Sequence, residues 1–104
     1  MKAEMWNKKL WISIINPIQL KEDFNAHLIK SGFEILNFQE HYFTPIGYTA
    51  LWLLGESHFA IHTFPEECKS YIEISSCNKE YFNRFLESIK QYKIIREVKN
   101  AERT

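Results

Sequence analysis

Hydrophobic positions along the chain follow two rhythms, one of period two and one of three to four, and they alternate in blocks. Lys9-Leu-Trp-Ile-Ser-Ile-Ile15 is dense in β-branched and aromatic residues and predicts a first strand. Asn16-Pro17 ends it and opens a helix, because Asn caps and proline is tolerated at the first helical position. Leu20, Phe24 and Leu28 recur at helical spacing, with Ala26 and Ile29 off the stripe and His27 beside it as a partly exposed helix histidine. Ser31-Gly32 closes the helix, glycine suiting the left-handed position after the last turn.

Period two then returns. Phe33 to Phe38 predicts a second strand, and Tyr48 to Leu54 a third, after the turn Pro45-Ile46-Gly47. Gly55-Glu56-Ser57 breaks the run, and His58 to Phe64 comes back as a fourth strand. So short a break makes the third and fourth strands antiparallel neighbours. Tyr71 to Ser76 reads as a fifth, with Ile72 and Ile74 pointing one way and Glu73, Ser75 and Cys77 the other. Asn78 caps a second helix with Tyr81, Phe82, Phe85, Leu86 and Ile89 on its stripe. Lys93 to Val98 adds a last strand, before a polar tail at Asn100 to Thr104. The sum is an α+β fold: a two-layer sandwich of one mainly antiparallel sheet with two helices on one face. The other face carries Tyr, Trp and Phe, and is expected to pair with a second copy.

Composition narrows the function classes. At 104 residues, one domain over 1–104 is expected. Thirteen basic residues balance 13 acidic ones, which disfavours a nucleic-acid partner. The longest apolar stretch, Ala50 to Leu54, is too short to span a bilayer, and the first residues form no signal segment, so a cytoplasmic protein with no membrane partner is expected. Cys68 and Cys77 are expected to be reduced thiols, and their spacing with the histidines matches no zinc site, so no metal is expected.

Chemistry gathers between Gly55 and Glu66. A strand from His58 to Phe64 puts His58 and His62 on one face. With Ser57 at its start, a hydroxyl and two bases are expected in one small volume, the composition of an activated nucleophile. The same residues also suit a turn serine beside two hydrogen-bonded histidines.

The stretch His41-Tyr-Phe-Thr-Pro-Ile-Gly47, then Thr49, Glu56-Ser57-His58, Ile61-His62-Thr63-Phe64-Pro65-Glu66 and Cys77, resembles the prokaryotic S-adenosylmethionine decarboxylase proenzymes. The resemblance covers about residues 9 to 98. It implies the same two-layer fold, a homodimer, and self-cleavage between Glu56 and Ser57. Ser57 would attack the Glu56 carbonyl, a step that needs a strained turn, with Gly55 free to adopt it, and donors for the oxyanion. His62 matches the base that takes the serine α-proton, and Thr49 a hydroxyl that assists processing. The resemblance further implies a pyruvoyl cofactor made from Ser57, which binds the substrate amine as a Schiff base, and Cys77 as proton donor. Glu66 matches a carboxylate for the ribose hydroxyls of S-adenosylmethionine, the aminopropyl source for spermidine; Phe43 and Phe64 are aromatic positions suited to stacking on its adenine or sulfonium, and equally to core packing.

Five features depart from the family pattern. Phe64 replaces a common tryptophan, and Asn78 follows Cys77 where glycine is usual. The first strand lacks the Gly-x-His opening, and the tail is short. Glu73 stands where aspartate is usual. Two other readings stay open at this point: a pyruvoyl decarboxylase of ornithine or arginine, and an uncleaved relative acting as a binding or regulatory subunit.

Overall fold

The structure, a computed structural model, describes residues 2–98. Its order is β1 (Trp6–Ile12), α1 (Pro17–Ser31), β2 (Ile35–Tyr42), β3 (Tyr48–Leu54), β4 (Ser57–Phe64), β5 (Lys69–Ser76), α2 (Lys79–Ser88) and β6 (Ile94–Val98), with a 3-10 turn at Pro65–Glu67. The strands form one six-stranded sheet in the order β2-β3-β4-β5-β1-β6, with neighbouring strands antiparallel throughout. Both helices lie against one face. The two-layer α+β arrangement read from the hydrophobic pattern is the one observed.

The helix ends show why the local sequence works. Asn16 accepts the Gln19 N–H, and Pro17 occupies the first helical position. Gly32, at φ 111°, ends α1, with its N–H on the Ile29 carbonyl and the Phe33 N–H on that of Leu28. Chain continuing from that motif is committed to Phe33, which is buried against Tyr81 at 5.4 Å between rings. The second strand therefore starts at Ile35, two residues later than the pattern suggests, and runs on to Tyr42 because β3 offers it partners that far. The first strand, by contrast, begins earlier, at Trp6 rather than Lys9. It ends at Ile12, where its β5 partners run out. The polar tail from Asn100 lies outside the described residues.

Leu20, Phe24 and Leu28 from α1 and Phe82, Phe85 and Ile89 from the second helical segment bury themselves on Tyr48, Ala50, Trp52, Phe59, Ile61, Ile72 and Ile74 of the sheet. Phe24 stacks on Phe59 at 5.1 Å, and both rings meet Phe85. Among the described residues nothing forms a layer over the opposite face. Leu51 and Leu53 stand 48% and 54% exposed there, beside a row in which Trp11 touches both Tyr71 and Phe64.

Candidate active site

Two polar clusters emerge at opposite ends of the β3–β4 hairpin. The first is at its turn. Leu54 pairs with Ser57, leaving Gly55 and Glu56 as the loop, and the Gly55 N–H donates to the Glu34 carbonyl at 2.8 Å. Ser57 also pairs with Ser76 on β5, so the next residue, Cys77, falls beside Glu56. The Glu56 carbonyl oxygen accepts from the Cys77 N–H at 3.3 Å and from its thiol at 2.9 Å. Two donors thus converge on one peptide oxygen, the arrangement that stabilises an oxyanion if that carbon is attacked.

The Ser57 hydroxyl donates to Ser76 Oγ at 2.6 Å. Ser76 is fully buried; its oxygen also accepts the Asn78 N–H at 2.9 Å and donates to the Asn78 carbonyl at 3.3 Å. The Asn78 side-chain amide donates to a Glu56 carboxylate oxygen at 2.8 Å. Gly55 is not in the left-handed region, and a Cβ there would meet Glu34 at ordinary contact distances. The junction's shape comes from strand pairing and these hydrogen bonds, not from a glycine-only backbone, which corrects the sequence expectation.

The second cluster sits at the other end. Thr49 and His62 are register partners, and Thr49 Oγ1 lies 3.0 Å from His62 Nδ1. Both line a cavity of about 330 Å³ together with Phe43, Gly47, Phe64 and Glu66. Gly47 reaches φ 119° here, and its carbonyl accepts the Phe43 N–H at 2.9 Å, which turns Phe43 back toward the cavity. Next to His62, its ring 6.1 Å away, stands Tyr71, whose hydroxyl donates to Glu73 at 2.6 Å. Burial, and then that bond to a carboxylate, push the Tyr71 phenol above its ordinary pKa.

Ser57 and the two histidines do not share one volume. Ser57 belongs to β4 itself, one residue earlier than the pattern places the strand's start, so alternation turns it to the helix side while His58 and His62 face the open side. Ser57 and His62 are also about 16 Å apart along the strand, five residues at about 3.3 Å each. The hydroxyl's partner is Ser76, a residue the sequence reading passed over, because only the β4–β5 register brings it to Ser57. Asn78 was legible as a cap and not as a contact to Glu56. Among the described residues no cluster of three or more His, Cys, Asp or Glu groups could hold a metal, and Cys68 and Cys77 are exposed free thiols.

A family model described as S-adenosylmethionine decarboxylase matches residues 13–102. An S-adenosylmethionine decarboxylase proenzyme of Prochlorococcus marinus (strain MIT 9211) is 40% identical over 50 residues, 48% of this chain and 41% of that protein. One from Geobacillus sp. (strain WCH70) is 36% identical over 64 residues, 61% of this chain and 52% of that protein. The chain spans about half the length of the relatives it matches. The crystal structure of the adenosylmethionine decarboxylase from Aquifex aeolicus VF5 superposes with a TM-score of 0.75 over 94% of this chain and 88% of that one, at 18% identity, a likeness of fold.

Proposed function

We propose that this chain, which belongs to the S-adenosylmethionine decarboxylase family, is a proenzyme that cuts itself between Glu56 and Ser57 and then decarboxylates S-adenosylmethionine. The observation that carries this reading is the Glu56 carbonyl oxygen held by the N–H and thiol of Cys77, on the residue just before Ser57. Ser57 Oγ attacks the Glu56 carbonyl carbon, and negative charge gathers on the oxygen those two donors already touch. The C–N bond breaks, leaving an ester at Ser57 Oγ and a free amine on Ser57. A base then removes the Ser57 α-proton and the Glu56 carboxylate departs; hydrolysis of the resulting enamine, with loss of ammonia, leaves a pyruvoyl group. That group supplies a ketone through which electrons can be drawn as carbon dioxide leaves the substrate. The residues present fit its formation: a serine with its hydroxyl held, and a preceding carbonyl with two donors.

His62 of the same chain is on the other face and about 16 Å along the strand from Ser57, which favours a base from elsewhere. The base is therefore His62 of a second copy, with Thr49 of that copy holding its Nδ1. The substrate candidates Phe43, Phe64 and Glu66 line the cavity around Thr49 and His62, so the same pairing would carry substrate to Ser57 and Cys77. The uncovered sheet face, with Leu51 and Leu53 exposed, offers the apolar surface for a homodimer. Once Glu56 is released, the Cys77 thiol loses its carbonyl partner and can deliver a proton to the substrate's α-carbon.

This reading takes 1–104 as one domain acting in the cytoplasm, with a small-molecule substrate and neither nucleic acid nor membrane as partner. No helix among the described residues is long and apolar enough to cross a membrane. The test is carbon dioxide release from S-adenosylmethionine, ornithine and arginine by the incubated protein. Release from S-adenosylmethionine is expected; release from ornithine or arginine alone would move the substrate assignment.

A further inference from the structure

Asn78 directly follows Cys77 at the N-cap of α2, and its side chain does two things at once. Oδ1 accepts the Tyr81 N–H at 3.0 Å, capping α2, while Nδ2 donates to Glu56 Oε2 at 2.8 Å. A helix N–H only donates and a carboxylate only accepts, so a single orientation of the amide serves both. The cap thereby aims the amide at Glu56. Residue 56 lies in an exposed two-residue turn, where rotation of its peptide plane would swing the carbonyl away from Cys77.

We propose that Asn78 is a positioning residue for self-cleavage: by clamping the Glu56 side chain to the capped start of α2, it keeps the attacked carbonyl on the Cys77 donors. The inference rests on the self-cleavage reading and adds to it a residue that the Ser57, His62 and Cys77 chemistry does not use.

The test is Asn78→Asp. Aspartate caps a helix as well as asparagine does, so α2 and the thermal midpoint should hold. The donor to Glu56 is gone, however, and a second carboxylate faces the first. Cleavage at pH 8 should slow by about tenfold or more relative to wild type. The ratio to wild type should recover toward pH 5, as one carboxyl of the pair takes a proton and can donate. Adding Glu56→Gln to Asn78→Asp should also speed cleavage over Asn78→Asp alone, because the Gln amide can donate to the new carboxylate. A stable Asn78→Asp that cleaves at the wild-type rate at every pH, or a double variant no faster than Asn78→Asp, overturns the clamp. A wild-type chain that never cleaves overturns the self-cleavage reading and the clamp with it. Independently of any cleavage, the Asn78 side-chain amide protons in uncleavable Ser57→Ala should shift as Glu56 titrates; amide signals that ignore Glu56 also overturn the clamp.

Discussion

Cys77 gives both its backbone N–H and its thiol to the carbonyl oxygen of Glu56, at 3.3 and 2.9 Å. Sheet register brings the two residues side by side, since Ser57 pairs with Ser76 and the residue just after β5 must meet the residue just before β4. On the proposed reading, the thiol that donates a proton to the substrate is already engaged with the bond that self-cleavage would break.

Cys77→Ala should fold, because the thiol is exposed and fills no core volume. It keeps the backbone donor and loses the thiol, so self-cleavage should slow without stopping. Decarboxylation should fall at least about a hundredfold, the low end for loss of a general acid. The measurement is turnover per blocked amino terminus; wild-type turnover would leave Cys77 a bystander.

Ser57→Ala removes the nucleophile and one hydrogen bond to Ser76. The chain should remain whole on prolonged incubation, with its fold kept and a stability loss of about 1 kcal/mol for the lost bond. Electrophoresis and a urea melt check both. Any blocked fragment from this variant would move the cofactor to another residue.

The proposed division of the site between two copies has its own test. His62→Ala and Ser57→Ala should each stay uncleaved alone. When they are co-expressed, cleaved His62→Ala chain should accumulate, because its Ser57 can face the His62 of a Ser57→Ala partner. No cleavage in the mixture, under conditions where the two associate, contradicts a base supplied by a second copy.

His27 lies in the α1 interface, its Nε2 2.6 Å from the Tyr92 hydroxyl. Burial holds its imidazole below the ordinary value of 6.5, against an opposing pull from Asp23. Since the unfolded chain takes that proton first, the contribution is whole above about pH 6.5 and is lost as pH falls below it. The drop in urea midpoint from pH 7.5 to 5.5 should be smaller in His27→Gln than in wild type. An equal drop would assign the acid sensitivity to other groups.

Much of the fold was readable because its signals are local. Asn16-Pro17 and Gly32 bracket α1, and alternation marks β3 and β4 with little ambiguity. What escaped depends on distant pairing. Trp6-Asn-Lys-Lys has no clear strand rhythm and joins β1 only because β5 reaches back to Ser76. Placing Ser57 in the turn instead of the strand, a shift of one residue, hid the fact that an odd spacing from His62 turns the two side chains to opposite faces. The candidate residues were legible as a set, and their separation into two clusters was not.

Self-cleavage is the claim on which the rest depends, and the intact mass of the incubated wild-type protein tests it most directly. Two fragments are expected, residues 1–56 and 57–104, the second lacking a free amino group and carrying a pyruvoyl group in place of Ser57. A single mass for the whole chain, with Ser57 unaltered after long incubation, would contradict it.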